Sequence, residues 1–343
     1  MLDFLKIATR AKKNGVIEVY PKFIMKKSTD LMIRGGDFYA IWIEEKKRWS
    51  TDEDDVIELI DRELFKFVQE KERERTGDRY SILYMWDSSS GSIDAWHKYC
   101  QRQLRDNYHP LDETLIFLNT ETKKEDYSSK CLPYPLENSG CPAWDKLLGT
   151  LYSPEERHKL QWAIGSIVSG DSKSIQKFLV LYGSAGTGKS TVLNIIQDLF
   201  QGYYSIFDAK ALGSSNNVFA LESFKDNPLV AIQHDGDLSH IEDNTRLNSL
   251  VSHEQMTVNE KFKSAYSTKF NAFLFMGTNK PVKITDAKSG IIRRRIDVTP
   301  SGKKLNTKEY NKCMKNVKFE LGSIAKHCLD IYEEDPEYYD DYI

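Results

Sequence analysis

The feature that most constrains this chain is an eight-residue segment near its middle, GSAGTGKS at positions 183–190. It fits the pattern GxxxxGK[ST] at every position, and it stands between an apolar run, KFLVLY, and a segment whose apolar residues recur at helical spacing. Glycines in such a loop let backbone N–H groups turn inward around phosphate oxygens, and the helix N-terminus adds a partial positive charge. The segment therefore predicts a nucleotide-binding strand–loop–helix unit in an α/β layer domain.

Each position of this loop has an expected task. Lys189 is expected to reach the β- and γ-phosphates, and the Ser190 hydroxyl to coordinate Mg²⁺. The residues expected to line the phosphates are Gly183, Ser184, Ala185, Gly186, Thr187, Gly188, Lys189, Ser190 and Thr191. A chance match to the pattern is the alternative interpretation, and the flanking strand and helix make it rare.

Two further apolar runs end in polar residues that suit nucleotide hydrolysis. The run at 229–232 is followed by Asp235 and Asp237, and the run at 271–277 is followed by Asn279. A carboxylate at the end of a neighbouring strand holds the Mg²⁺ shell and polarises water, whereas an amide at a strand tip orients the attacking water. The alternative is that both segments are ordinary polar turns, since Asp-Gly is a common turn pair.

Three consecutive arginines, Arg293, Arg294 and Arg295, lie between isoleucines in IIRRRI. Three guanidinium groups are hard to bury in one subunit. An arginine presented to a neighbour's nucleotide would explain them, because a fixed guanidinium stabilises charge that develops on the γ-phosphate. A solvated basic strand is the alternative.

The segments GSAGTGKST, LVAIQHDGD, FLFMGTN and GIIRRRI follow one another in this order between residues 183 and 296. As an ordered set they resemble the superfamily 3 helicase domain of phage, plasmid and poxvirus primase-helicases. Upstream, GDFYAIWIEEKKRW, DETLIFLNTETKK, CPAWDKLL and LQWAIGSIVSGD more loosely resemble the accessory domain that precedes the motor in that family. Together the matching stretches span roughly residues 35–335, most of the chain.

The resemblance implies an AAA+-like P-loop motor that forms a ring, usually a hexamer, hydrolyses ATP with Mg²⁺ between subunits and moves 3′→5′ along single-stranded DNA. By motif, Asp235 takes the place of the second-strand acid and Asn279 that of the sensor asparagine. Arg293 or Arg294 would be the arginine that acts on the neighbouring subunit, with the register left open. The chain departs from the family pattern at His234, because many of these motors carry a second acid there, and this leaves open whether Asp237 joins the Mg²⁺ shell.

The segment at 256–273 alternates apolar and polar residues on each side of a polar middle, as a β-hairpin does. In the resembled family a hairpin at this place grips DNA in the pore. The candidate DNA contacts are Lys261, Phe262, Lys263 and Tyr266. Lysines pair with phosphates and aromatic rings stack on bases, although a hairpin kept soluble by its lysines would look the same.

These inferences give a three-part organisation with an α/β fold. Residues 1–142 are expected to be a mixed, mainly helical accessory domain with a linker, 143–304 the ATPase and helicase domain, and 305–343 a short helical segment with an acidic tail. The expected partners are single-stranded or forked DNA, further copies of the chain, and possible primase, polymerase or other replication proteins. The alternatives are an initiator, loader or remodeller that does not unwind processively, and a nucleotide-dependent scaffold whose tail recruits partners.

The net charge of −3 conceals strong segregation along the chain. Residues 1–34 carry a net charge of +5 and residues 251–304 a net charge of +7, whereas the final sixteen residues carry −7. The basic N-terminal segment suits nucleic acid or an ordinary solvated surface equally well. Five cysteines without a CxxC pair, and the lack of an apolar run of about 20 residues, predict a protein of the cytoplasm without membrane spans.

Overall fold

The computed structural model describes residues 2–25, 28–34, 37–85, 95–96, 98–99, 102–103, 107–214, 216–237, 243–259, 265–280 and 290–339. The chain divides into two compact units. Unit 1 comprises Met1–Glu113 with Glu121–Ser129, and unit 2 comprises Thr114–Thr120 with Lys130–Ile343. No helix in the described part of the chain is long and apolar enough to cross a membrane.

The described residues of unit 1 form two three-stranded sheets and one long helix. The first sheet has β1 (Leu5–Ala11), β2 (Val16–Phe23) and β6 (Arg79–Ile82), and the second has β3 (Leu31–Arg34), β4 (Asp37–Ile43) and β5 (Arg48–Ser50). Helix α1 (Glu53–Arg73) begins after Asp52, whose side chain accepts a hydrogen bond from the Asp54 amide. The expectation of a mainly helical domain is wrong for the described residues. Apolar residues alternate with polar ones here, and this is the pattern of strands and not of helices.

Helix α1 covers the inner face of the first sheet. Its buried residues recur at helical spacing, and together with Leu5 and Val19 from the strands they form one apolar cluster. In the second sheet β4 and β5 pair antiparallel, with Trp42 opposite Trp49.

Unit 2 is built on a five-stranded parallel sheet with the strand order β10-β11-β14-β9-β15. Its strands are β9 (Phe178–Tyr182), β10 (Tyr204–Ile206), β11 (Val230–Gln233), β14 (Phe273–Thr278) and β15 (Arg295–Val298). A short parallel pair, β7 (Ile116–Phe117) with β8 (Cys131–Leu132), and an antiparallel hairpin, β12 (Gln255–Val258) with β13 (Tyr266–Lys269), complete the strands described. The α/β layer fold expected for this part is confirmed.

Helices cover both faces of this sheet. They are α2 (Pro142–Leu151), α3 (Pro154–Ser169), α4 (Lys189–Leu199), α5 (Ala209–Leu212), α6 (Thr245–Val251), α7 (Ile291–Arg294), α8 (Thr307–Val317) and α9 (Leu321–Glu334). Successive residues of β9 point to opposite faces, so Leu179 and Leu181 join one apolar cluster while Phe178 and Val180 join the other. A strand buried on both faces requires the continuous apolar run that the sequence shows.

Candidate nucleotide site

Three loops meet at one edge of the parallel sheet of unit 2. Strands β11, β14 and β9 are adjacent and parallel, so their carboxyl ends lie at the same edge. The segments that follow them are 234–237, 279–280 and the glycine-rich loop 183–188. Ligands of open α/β sheets bind at this edge, where the carboxyl ends of the strands open into a crevice.

The glycine-rich loop has the backbone that its sequence predicts. Gly186 and Gly188 have φ angles of +77° and +91°, and α4 begins directly afterwards at Lys189. The Gly183 amide donates to the carbonyl oxygen of Thr278 at 3.2 Å, which ties the loop to the end of β14. The loop therefore leads into a helix N-terminus, and this is the arrangement that binds phosphate.

Lys189 is buried at this edge and is held by hydrogen bonds. Only 7% of its surface is exposed, and its ammonium group donates to the carbonyl oxygen of Ser184 at 3.1 Å and to Asn279 Oδ1 at 2.7 Å. Burial lowers the pKa of Lys189, and the negative charge of Asp235 partly offsets this effect. The structure thus brings together the lysine, the acid and the amide that the sequence singled out on three separate segments.

The two aspartates after β11 differ in their contacts. Asp235 is exposed, whereas Asp237 forms an ion pair with Lys280 at 2.8 Å between Oδ2 and Nζ. The amide of the residue between them donates to the carbonyl oxygen of Gly277 at 2.8 Å, which holds this turn against β14. His234 points elsewhere, because its Nε2 lies 2.9 Å from Gln197 Nε2 on α4.

The side chains at this edge suit Mg²⁺ bound together with nucleotide phosphates. Among the described residues, no cluster of three or more His, Cys, Asp or Glu side chains could hold a metal ion. Mg²⁺ retains several waters and takes one or two carboxylates plus substrate phosphates, so a full protein cage is not required. The exposed Ser190 in the first turn of α4 and Asp235 provide a donor set of this kind.

The remaining loop residues fall into two groups. Ser184, Ala185 and Gly186 are exposed at the loop tip, and the Thr187 hydroxyl donates to the carbonyl oxygen of Ser184 at 2.8 Å. The Thr191 hydroxyl lies 3.1 Å from the hydroxyl of Tyr310 on α8, so this side chain faces α8.

One cation near the loop was not among the predicted site residues. The ammonium group of Lys304 lies 3.2 Å from the place that a Cβ atom on Gly186 would occupy. The segment after β15 passes here, held by a hydrogen bond of 2.8 Å from the Ser301 amide to the carbonyl oxygen of Leu151. Only the pair of lysines at 303 and 304 signals this position in the sequence, and a pair of lysines is too common to indicate a site.

The three arginines lie at the amino ends of the strands, opposite the carboxyl ends where the glycine-rich loop lies. Arg295 pairs with Phe178 at the start of β9, and the loop follows the other end of that strand. Arg294 is 9% exposed and donates to Ser252 Oγ at 2.9 Å and to the carbonyl oxygen of Gly290 at 3.1 Å. Burial and the charge of Arg293 lower the pKa of Arg294. Arg293 itself is exposed.

The predicted DNA contacts are only partly described. Lys261, Phe262 and Lys263 lie outside the described residues. Tyr266 opens β13 opposite Val258 and packs against the apolar cluster on that side of the sheet, where it is half-buried.

Comparison with known proteins gives limited matches. Residues 181–295 match the model of a family of unknown function, DUF5906. No curated protein matches the chain. Among solved structures, the chain is similar to "The apo structure of NrS-1 C terminal region (305-718)", with 15% identity, a TM-score of 0.46, and 62% of this chain and 54% of that chain covered. A second structure, "The A form apo structure of NrS-1 C terminal region-CTR", has 15% identity and a TM-score of 0.46, with 69% and 60% covered. The chain therefore spans less than two thirds of these structures.

Proposed function

We propose that this chain is an ATP-hydrolysing motor of the superfamily 3 helicase type. In this proposal it assembles as a ring, expected to be a hexamer, moves 3′→5′ along single-stranded DNA in the cytoplasm, and serves the replication of a phage or mobile element. The observation that carries the proposal is the convergence of Lys189, Asp235 and Asn279 beside a glycine-rich loop at one sheet edge.

The proposed chemistry assigns a task to each of these groups. Lys189, whose ammonium group now bonds loop carbonyl oxygens, would exchange them for phosphate oxygens of ATP. Bound Mg²⁺ would neutralise charge on the phosphates, with Ser190 and Asp235 as its protein ligands. Asn279, whose Oδ1 now accepts from Lys189, would orient the attacking water with its amide.

The position of the arginines favours action on a second subunit. Arg295 lies beside Phe178, and Tyr182 is the last residue of β9 before the loop. These two residues of β9 are four positions apart, which is about 13 Å along the strand. An arginine side chain at the far edge does not span that distance, so it cannot serve the loop of its own chain. Arg293 is the exposed candidate, because Arg294 is already bonded within its own subunit.

The alternative proposal is a P-loop ATPase that initiates, loads or remodels without processive unwinding. Both proposals require ATP turnover and DNA, so only unwinding separates them. A scaffold that binds nucleotide and recruits partners through its acidic tail would show no response to DNA.

The deciding experiment is the ATPase rate with and without single-stranded DNA, measured beside unwinding of a forked duplex. We expect stimulation by DNA together with unwinding, and Lys189→Ala should abolish turnover. Full turnover in Lys189→Ala would refute the motor, and stimulation without unwinding would favour the loader. Lys261→Ala/Lys263→Ala should lose the stimulation while keeping basal turnover, and unchanged stimulation would reject these two residues as DNA contacts.

A further inference from the structure

The outer face of the first sheet of unit 1 concentrates positive charge. The register of β1 and β2 places Lys6 opposite Lys22, Ala8 opposite Tyr20, and Arg10 opposite Glu18. Because side chains alternate along a strand, these six residues share one face of the sheet. The other face carries Leu5 and Val19, which are buried in the cluster beneath α1, so the basic face is the outer one.

Five cations and one carboxylate lie on or reach this face. We call it the basic face, and its charged residues are Lys6, Arg10, Lys12, Lys22, Arg79 and Glu18. Lys12 Nζ lies 2.5 Å from Glu18 Oε1, and Arg10 bonds the same carboxylate. The hydrogen bond from Lys12 is the largest of the effects that lower the pKa of Glu18.

The remaining cations of the basic face lack a counter-charge among the described residues. Within the part of the chain that the structure describes, no carboxylate forms an ion pair with Lys6, Lys22 or Arg79, and all three side chains are exposed. Like charges opposite each other destabilise a strand pair, so Lys6 and Lys22 oppose folding unless an anion compensates them. The basic face therefore suits an extended polyanion.

Tyr20 supplies an aromatic surface among these cations. The Arg10 guanidinium carbon lies 5.3 Å from the centre of the Tyr20 ring, and Lys22 Nζ lies 6.0 Å from it. Both cations lie over the ring, and bases of single strands stack on aromatic rings or on arginine planes of this kind while their phosphates meet lysine and arginine. Duplex DNA hides its base faces in the stack and cannot use such a ring.

We propose that the basic face binds single-stranded nucleic acid, with phosphates at Lys6, Lys22 and Arg79 and a base stacked on Tyr20. This binding needs no nucleotide and uses no residue of the site in unit 2. It is therefore independent of the motor proposed above, and either proposal can fail alone.

The test is the affinity of the full chain for a fluorescein-labelled oligothymidylate, measured by anisotropy without ATP over a range of salt concentrations. Each phosphate contact on a single strand contributes about 0.7 to the slope of log K against log salt. Lys6→Ala/Lys22→Ala should therefore make the slope shallower by about 1.4, and the same relation gives about 25-fold weaker binding at 0.1 M salt.

The matched control is Lys66→Ala/Lys71→Ala, which removes the same charge from α1 across the sheet. This control should bind as the wild type does, and basal ATP turnover should be unchanged in both double variants. Tyr20→Leu should weaken binding while leaving the salt slope unchanged, because it removes stacking without removing charge. Equal losses in both double variants, no loss in either, or equal affinity for a duplex of the same length would overturn the proposal.

Discussion

Replacing Gly188 by alanine tests whether the phosphate loop has the geometry described above. Gly188 precedes Lys189 with φ at +91°, and a Cβ atom there would lie 2.7 Å from Leu151 Cδ1, which is closer than real Cβ contacts come. Gly202, in the turn after α4, has nearly the same φ of +87° but nothing within 4 Å of its would-be Cβ atom. The two glycines therefore share the backbone cost of the substitution and differ only in the steric contact.

The expected magnitudes follow from this difference. The left-handed conformation costs about 1–2 kcal/mol for a residue with a Cβ atom, and both variants should lose that amount. Overpacking a buried contact adds about 1–3 kcal/mol, which only Gly188→Ala should lose. For a unit of this size, each kcal/mol corresponds to about 2–4 °C in the melting temperature.

Differential scanning calorimetry measures the difference in melting temperature between the two variants. Titration with a fluorescent ATP analogue measures the nucleotide affinity of the site. We expect Gly188→Ala to melt below Gly202→Ala and to lose nucleotide binding, because a displaced loop no longer directs its amides inward. Gly202→Ala should bind the analogue normally. Equal melting temperatures would show that the contact with Leu151 does not limit the fold, and normal binding by Gly188→Ala would refute the proposed loop geometry.

Two further predictions concern the arginines and a buried thiol. Mixing inactive Arg293→Ala with inactive Lys189→Ala subunits should restore part of the ATP turnover, whereas Arg294→Ala should lower the melting temperature instead; no rescue in verified assemblies would count against Arg293. Burial raises the pKa of the Cys141 thiol to about 12, so its contribution to stability is complete below its ordinary value near 9 and is lost as the pH rises towards 12. Denaturant titrations should therefore show less alkaline destabilisation in Cys141→Ala than in the wild type, and identical pH profiles would contradict this.

The sequence predicted the elements of the nucleotide edge well because its signals are local. The apolar run predicted at 229–232 forms β11 at Val230–Gln233, and the glycine pattern forms the loop before Lys189. The order of the strands is a different matter. Nothing local indicates that β14 inserts between β11 and β9, although this insertion brings Asn279 within 2.7 Å of Lys189.

Unit 1 shows what local signals miss. Strands β1 and β2 alternate apolar residues with lysine, arginine and tyrosine, and from the sequence this pattern indicates only a basic segment suited to nucleic acid or solvent. The segregation of charge can be read from the sequence. Whether Lys6 lies opposite Lys22 depends on the register of the two strands. Register is fixed by which residues must be buried beneath α1, so it becomes available only with the fold.

The polarity of a parallel sheet links the proposed chemistry to assembly. Strands β9 and β15 run side by side in the same direction, so the loop after β9 and the arginines before β15 lie at opposite edges. A rigid sheet keeps those edges apart in every conformation that preserves the fold. If an arginine of this group completes the site, a second copy must supply it, and in a closed symmetric assembly such as the proposed ring every copy both gives and receives one. The dependence of turnover on assembly then follows from strand direction alone.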